Sequence, residues 1–155
     1  MSHNKEIERK YILHRLPAEI ENAVCYELRQ GYLASGESEV RLRDKAGTFT
    51  LTCKQGSGLE RVEEEIKLSE EQFSRLWPLT EGKRIEKRRY QVPYGAYTIE
   101  LDRFSGALHP LLVAEVEFAS VEESKSFRAP PYFGQEVTED KRFKNRSLAE
   151  YGLPQ

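Results

Sequence analysis

The stretch from Glu39 to Lys54 decides the fold and reads Glu-Val-Arg-Leu-Arg-Asp-Lys-Ala-Gly-Thr-Phe-Thr-Leu-Thr-Cys-Lys. On both sides of a turn at Asp44–Gly47, apolar side chains alternate with polar or charged ones. Side chains two residues apart in a strand point to the same face, so each half predicts a strand with one apolar and one polar face. The stretch therefore predicts an antiparallel hairpin in which Arg41 and Arg43 share a face.

The same spacing of charges occurs in six short segments of the chain. The paired charges are Glu6 with Glu8 and Lys10, Arg41 with Arg43, Glu63 with Glu65, Lys87 with Arg89, Glu100 with Asp102, and Glu115 with Glu117. Each pair aims two charges at one face of its strand, and several pairs carry a single sign. Because like charges side by side cost stability, their number and segregation indicate a face kept for a function.

The rest of the chain predicts further strands, joined mostly by short turns. Alternation and turn residues predict eight strands, near residues 5–13, 25–34, 39–43, 48–54, 59–68, 83–92, 97–104 and 111–118. This pattern is typical of an antiparallel α+β domain. Eight strands are enough to close into a barrel, which removes the sheet edges.

Three helices are expected between and after the strand groups. Ser69 with Gln72 forms a capping box, and its helix ends near Leu76 or Trp77. A second capping box, Ser120 with Glu123, opens a helix that ends at Pro130-Pro131, and Thr138 caps a last helix reaching about Tyr151.

The apolar stripes of the first two helices indicate which face of the sheet points inward. These stripes need an apolar sheet surface to cover, and that surface lies opposite the charges, at Val40, Leu42, Leu51, Ile99, Leu101, Val116 and Phe118. We therefore expect helices packed outside the barrel and a wet, charged interior. The alternative is a solvated outer face, which is the ordinary reading of any single Glu-x-Glu strand.

Composition limits the class of protein. The 155 residues suit a single domain, residues 1–155, and a net charge of −2 argues against a generally basic nucleic-acid binder. No apolar run is long enough to span a membrane, and the charges at Lys5–Lys10 argue against a secretory signal, so a cytoplasmic protein is expected. Two cysteines and three scattered histidines make no zinc motif.

The charged segments resemble a known family. Glu6-x-Glu8-x-Lys10 is similar to the ExExK signature of the CYTH superfamily, the triphosphate tunnel metalloenzymes, and the other pairs follow in the family's order with Lys54. The resemblance covers nearly the whole chain and implies an eight-stranded antiparallel tunnel lined by charges. The chain most resembles the compact bacterial members of the family, which typically hydrolyse inorganic tripolyphosphate.

The resemblance also implies roles for the charged residues. The metal ligands would be Glu6, Glu8, Glu100, Asp102, Glu115 and Glu117, and the phosphate-binding residues Arg41, Arg43, Lys87 and Arg89. Lys10 and Lys54 would neutralise phosphate charge and aid the leaving group, while Glu63 and Glu65 would position a second metal or the attacking water. Oxygen ligands suggest Mg²⁺ or Mn²⁺.

The charge balance of this interior predicts dependence on metal. Its eight acids and six bases leave a net charge of −2, which two divalent ions would change to +2. A triphosphate would then be attracted, whereas it would be repelled without metal.

Other functions stay open at this point. On the same fold, a class IV-type adenylate cyclase or a thiamine triphosphatase would need an apolar or aromatic contact for the organic group. A non-catalytic polyphosphate or nucleotide sensor would need the bases but fewer acids, and a purely structural barrel would need neither. The preferred partner is thus a triphosphate-bearing small molecule, with no nucleic acid or membrane.

Overall fold

Hairpins account for most of the structure, a computed structural model that describes residues 7–56 and 62–155. The nine strands are β1 (Ile7–Leu13), β2 (Val24–Ala34), β3 (Ser38–Lys45), β4 (Thr48–Gln55), β5 (Val62–Leu68), β6 (Arg84–Tyr94), β7 (Tyr97–Phe104), β8 (Leu112–Phe118) and β9 (Phe133–Glu136). The three helices are α1 (Glu70–Leu76), α2 (Val121–Ser126) and α3 (Asn145–Tyr151), with short 3₁₀ turns at Ala18–Asn22, Trp77–Thr80, Gly106–Leu108 and Lys141–Phe143. No helix among these residues is long and apolar enough to cross a membrane.

All nine strands form one antiparallel sheet in the order β5-β4-β3-β2-β6-β7-β8-β1-β9. The α+β class and the antiparallel sheet are confirmed, but the count of eight strands is wrong. Strand β9 was not predicted because its four residues, Phe-Gly-Gln-Glu, show no alternation of apolar and polar side chains. Over residues 7–56 and 62–155 the sheet ends at β5 and β9, and no strand pairing joins these two edges.

One face of the sheet is apolar and carries two of the helices, as predicted. On this face Phe127, just after α2, packs its ring against Tyr11, Tyr97 and Phe118. Phe73 of α1 is fully buried between the rings of Phe49 and Trp77. Burial of these aromatic side chains supplies much of the hydrophobic free energy that fixes the helices to the sheet.

The helix ends agree with the sequence only in part. Ser69 caps α1, because its Oγ accepts a hydrogen bond from Gln72 N (3.1 Å) and Gln72 Oε1 accepts one from Ser69 N (2.9 Å). The predicted end of α2 at Pro130 is wrong, since that helix stops at Ser126. The cap assigned to Thr138 is also wrong: Thr138 Oγ1 accepts from Lys10 N (3.0 Å), which ties β1 to the chain after β9, and α3 begins only at Asn145.

The last helix packs on the opposite face of the sheet, which corrects the expectation that helices lie only outside. Phe143, Leu148 and Ala149 form a buried cluster with residues that share the parity of the charges, namely Ile12, Tyr32, Ile85, Phe104 and Val113. This cluster closes one end of the charged side of the sheet, here called the closed end. The strand ends in the other direction, at Glu8, Lys45, Gln91 and Glu117, form the open end.

Candidate active site

Strand register brings the predicted site residues to one face. Residues directly opposite each other in an antiparallel pair share a face. Glu8 lies opposite Glu117, and Lys10 opposite Glu115. The same register places Glu100 opposite Glu115, Arg89 opposite Asp102, and Lys54 opposite Glu63.

The surface so formed, here called the charged face, contains every predicted site residue that the structure describes. These are Glu8, Lys10, Arg41, Arg43, Lys54, Glu63, Glu65, Lys87, Arg89, Glu100, Asp102, Glu115 and Glu117. The fourteenth, Glu6, lies outside the described residues. Arg88, of opposite parity, is exposed and pairs with Glu27 at 2.6 Å, as expected for the outer face.

Asp102 is the buried centre of the charged face. Its carboxylate accepts hydrogen bonds from Arg89 Nε (2.7 Å) and Nη2 (2.9 Å), and Lys87 Nζ lies 2.8 Å from its Oδ2. Burial alone would raise the pKa of Asp102, but the Lys87 ammonium and the Arg89 hydrogen bonds lower it to about 2. Asp102 therefore stays ionised at neutral pH and holds two bases in place.

Arg89 links this centre to two further acids. Its Nη1 donates to Glu100 Oε2 at 3.1 Å, and its Nη2 lies 3.7 Å from Glu115 Oε2. Burial opposes the charge of Arg89, but the hydrogen bonds and charges of Asp102, Glu115 and Glu100 raise its pKa. Glu100 and Glu115 are direct cross-strand neighbours of like charge, so the guanidinium between them offsets their repulsion.

Lys10 connects the charged face to the C-terminal segment. Its Nζ lies 3.6 Å from Glu115 Oε1 and donates a hydrogen bond of 3.1 Å to the carbonyl oxygen of Phe143. Phe143 belongs to the buried cluster at the closed end. The position of the Lys10 ammonium thus depends on how the C-terminal segment packs.

Two arginines on the other half of the sheet have no carboxylate partner within the described ranges. Arg43 Nε donates to Gln30 Oε1 at 3.2 Å, and Arg41 Nε is buried with no hydrogen-bond acceptor. Burial and the neighbouring charges of Arg41 and Arg89 lower the pKa of Arg43.

The edge strand β5 carries two exposed acids of the charged face. Glu63 and Glu65 are exposed, and Glu65 Oε1 accepts a hydrogen bond of 3.0 Å from the buried Thr52 hydroxyl. Glu63 lies opposite Lys54 on β4. Glu65 is thus fixed by one hydrogen bond and open to solvent.

The carboxylate oxygens of the charged face are suitable ligands for a divalent cation, but those that the structure describes are not arranged as a preformed metal site. No group of three or more His, Cys, Asp or Glu side chains within residues 7–56 and 62–155 is close enough to hold a metal ion. Glu8 and Glu117 nevertheless face each other across β1 and β8, and Glu117 with Glu100 borders a cavity of about 540 Å³ at the open end. Carboxylate oxygens are the ligands that Mg²⁺ and Mn²⁺ prefer, with water and phosphate oxygens completing the shell.

Several residues of the charged face were not assigned a role from the sequence. Gln30, Thr52 and Glu39 are buried there, and Tyr26, Lys45 and Lys67 lie nearer the open end. Strand parity alone could have found them, since Lys45 follows Arg43 at the same spacing that identified the arginines. Tyr32 is packed in the closed-end cluster, and its hydroxyl accepts a hydrogen bond from Gln30 Nε2 at 2.9 Å.

Known proteins match this chain over nearly its whole length. A family model described as CYTH domain matches residues 4–144. An inorganic triphosphatase of Nitrosomonas europaea is 47% identical over 93% of this chain and 96% of its own length, and one of Acetivibrio thermocellus is 33% identical over 94% of both. The crystal structure of the inorganic triphosphatase NE1496 is 42% identical, with a TM-score of 0.81 over 94% of this chain and 95% of that one. The chain therefore belongs to the CYTH domain family.

Proposed function

We propose that the protein hydrolyses a linear triphosphate, inorganic tripolyphosphate, to pyrophosphate and phosphate with the help of a divalent metal ion. The observation that carries this proposal is the buried Arg41 Nε, which has no acceptor in the described part of the chain although the same face of the sheet carries the acids. An unsatisfied buried donor is costly, and a phosphate oxygen is its natural acceptor. Two relatives are named as inorganic triphosphatases, which supports the same proposal.

Arg41 and Arg43 are proposed to bind the phosphate groups directly. A guanidinium offers paired N–H donors that match two oxygens of one phosphate, which a lysine ammonium cannot do. Arg89 would contact the substrate from the other wall of the charged face, and the buried Lys87, also predicted to bind phosphate, would act through its charge. Because Asp102 already holds both of these bases, we assign Asp102 to positioning them rather than to ligating metal.

Glu8, Glu115 and Glu117, with Glu6 and Glu100, would hold Mg²⁺ or Mn²⁺. When bound, the metal supplies charge neutralisation on the phosphate oxygens and helps to align the substrate. The charged face is then net positive toward the triphosphate, whereas the acids alone would repel it. Substrate affinity is therefore expected to depend on metal.

The chemical step needs a placed water and a stabilised leaving group. Glu65, held by Thr52, and its neighbour Glu63 would orient the attacking water and accept its proton. Lys54, opposite Glu63, would stabilise charge on the attacked phosphate. Lys10, held by the Phe143 carbonyl, would neutralise the charge that develops on the departing phosphate oxygen.

The charged face of an open sheet would be exposed to bulk solvent, whereas a curled sheet would enclose it. We propose that the nine-stranded sheet curls its charged face inward to form a tunnel, with residues 1–155 acting as one domain. Free, exposed Cys25 and Cys53 suit a reducing compartment, which supports placing the enzyme in the cytoplasm.

The test is phosphate release from tripolyphosphate, ATP and thiamine triphosphate in Mg²⁺, Mn²⁺ or EDTA. We expect fast, metal-dependent release from tripolyphosphate that is lost in Glu117→Gln and in Arg41→Gln. Arg88→Gln, which changes an exposed arginine of the outer face, is the matched control and should retain activity. Faster phosphate release from ATP or thiamine triphosphate would show that the substrate is an organic triphosphate. No phosphate release from any of the three compounds would refute the proposed function.

A further inference from the structure

Gln30 is a fully buried polar residue of the charged face to which the proposed reaction assigns no role. It lies on β2, opposite Arg43 of β3 on one side and Ile85 of β6 on the other, and it is 0% exposed. Burying an amide costs free energy unless its polar atoms are hydrogen-bonded. A glutamine at this position therefore needs partners inside the protein.

Both ends of the Gln30 amide have such a partner. Its Oε1 accepts a hydrogen bond from Arg43 Nε at 3.2 Å, and its Nε2 donates one to the Tyr32 hydroxyl at 2.9 Å. Because a guanidinium carries only donors, the amide must turn its oxygen toward Arg43 and its nitrogen toward Tyr32. Tyr32 is 2% exposed and belongs to the closed-end cluster, so the amide ties the Arg43 guanidinium to the packed core.

The guanidinium of Arg89, on the other half of the sheet, is held in a different way. Asp102 accepts two hydrogen bonds from it, Glu100 accepts a third, and Glu115 lies 3.7 Å away. These carboxylates offset the charge of Arg89. Within the described ranges Arg43 is paired with no carboxylate, and the neutral amide of Gln30 takes that place.

A neutral acceptor has a consequence for anion binding. A carboxylate would hold the guanidinium at least as firmly, but its negative charge would repel a phosphate group and offset the attraction of Arg43. An amide fixes the direction of Nε and leaves the positive charge of Arg43 available to an incoming anion.

We propose that Gln30 is a positioning residue, which fixes the Arg43 guanidinium for triphosphate binding without neutralising it. The inference rests on the proposed function, because it requires that Arg43 binds a phosphate group. It divides the arginines of the charged face into two kinds. The charge of Arg89 is balanced by acids of the chain, whereas that of Arg43 is balanced when the substrate is bound.

Gln30→Glu separates the positioning of Arg43 from its charge. The new carboxylate has nearly the size of the amide and can accept from Arg43 Nε, but it adds a negative charge beside the phosphate site. We expect the thermal midpoint without substrate to stay constant or rise, while the KM for tripolyphosphate in Mg²⁺ rises roughly tenfold or more. Gln55→Glu makes the same change at an exposed position on the outer face of β4, so this matched control should keep both wild-type values.

Gln30→Met tests whether Gln30 acts through Arg43. The change keeps the length of the side chain and removes both hydrogen bonds, so kcat/KM for tripolyphosphate should fall roughly tenfold. In an Arg43→Met background the same change should cause no further fall in kcat/KM, because the group that Gln30 positions is already gone. If Gln30→Met does not fold, Gln30→Glu decides alone, since its carboxylate can accept from both Arg43 and Tyr32.

Three outcomes would overturn the proposal. A wild-type KM in Gln30→Glu would mean that the charge of Arg43 need not stay free, and a thermal midpoint that falls together with activity in this variant would show a structural role. An equal fall in kcat/KM upon Gln30→Met with and without Arg43 would mean that Gln30 acts independently of Arg43.

Failure of the proposed function looks different from failure of this inference, because wild type itself would then release no phosphate from tripolyphosphate. Calorimetric binding of tripolyphosphate in Mg²⁺ decides in that case. The role of Gln30 stands only if wild type binds tripolyphosphate roughly tenfold more tightly than Gln30→Glu does. Equal binding by the two proteins, or no binding by wild type, would refute it.

Discussion

Lys87 and Asp102 form a buried ion pair in the middle of the charged face, with Nζ 2.8 Å from Oδ2 and both side chains 1% exposed. Neither charge can be hydrated by bulk water, so each depends on the other and on Arg89. Such a pair need not add net stability compared with apolar residues, but it fixes where two bases point. The same contact therefore links folding to the geometry of the proposed phosphate site.

Asp102→Asn is expected to destabilise the protein strongly. The change leaves the Lys87 ammonium buried without a counter-charge, and breaking one partner of such a pair costs roughly 3–5 kcal/mol. Urea unfolding at pH 7 measures the loss. Glu27→Gln breaks the exposed Arg88–Glu27 pair as a control, and its effect should be well under that of Asp102→Asn. Equal effects of the two variants would contradict the assignment of Asp102 as the buried centre.

The pKa of Asp102 also predicts how stability depends on pH. Because the folded-state pKa is lowered from 3.8 to about 2, the ionised form stabilises the fold above the unfolded value, and this contribution disappears as the pH falls from about 4 through 2. The shift corresponds to roughly 2 kcal/mol. The difference in unfolding free energy between wild type and Asp102→Asn should shrink by about that amount between pH 5 and pH 2. A difference that is constant across this range would contradict the prediction.

Alternation of residue types was enough to predict most of the sheet and the shared face of the charges. The predicted strand near 97–104 matches β7, and the parity argument placed Arg41, Arg43, Glu63 and Glu65 on one side of their strands. Parity works because strand side chains alternate strictly, so a pairwise pattern along the sequence becomes a surface in space. The same rule would have included Lys45 and Tyr26 had it been applied to every strand position.

Contacts between distant residues could not be predicted in this way. The sequence suggested Asp102 as a metal ligand, but its contacts with Lys87 and Arg89 depend on the register of β6 against β7 and on side-chain rotamers. The packing of Leu148 at the closed end was missed because α3 is a seven-residue helix whose apolar side chains suit either face. β9 was missed because it forms by pairing with the edge of β1, and its own residues show no strand pattern.

Arg41→Met is expected to lower activity without loss of stability. Arg41 Nε is a buried donor with no acceptor in the described structure, so an apolar side chain of similar length removes an unfavourable group. The thermal midpoint without substrate should stay constant or rise, while kcat/KM for tripolyphosphate should fall roughly 100-fold. Arg103→Met, at an exposed position on the outer face beside Tyr90, serves as the control and should retain kcat/KM. A fall in both stability and activity would show that Arg41 supports the fold instead.

Gly31→Ala is expected to disturb the contact between β2 and the turn at Trp77–Thr80. A Cβ at position 31 would lie 2.6 Å from Cβ and from Oγ1 of Thr80, which is far closer than van der Waals contact. Thr80 is fully buried, and its Oγ1 accepts from Arg84 Nε at 2.9 Å, so the turn cannot shift without loss of that hydrogen bond. Overpacking of this kind typically costs 1–3 kcal/mol, so we expect about 2 kcal/mol in urea unfolding. Ala107→Gly, at an exposed position, is the control and should have a smaller effect. Gly82→Ala is unsuitable as a control, because the φ of +82° at Gly82 would itself strain an alanine.

Leu148→Ala tests whether packing at the closed end controls the position of Lys10. Leu148 is 2% exposed in the cluster with Phe143, and its truncation should cost roughly 2–5 kcal/mol by leaving a cavity. Because the carbonyl of Phe143 accepts the hydrogen bond from Lys10 Nζ, loosening this cluster should also lower kcat for tripolyphosphate, with little change in KM.

The matched control for this variant lies on the same helix. Tyr151→Ala changes a side chain that is 82% exposed, so its stability should stay within about 0.5 kcal/mol of wild type and its kcat should be unchanged. Unfolding curves and steady-state kinetics below the unfolding temperature separate the two effects of Leu148→Ala. A stability loss with an unchanged kcat would mean that the C-terminal segment supports the fold but does not set the Lys10 ammonium.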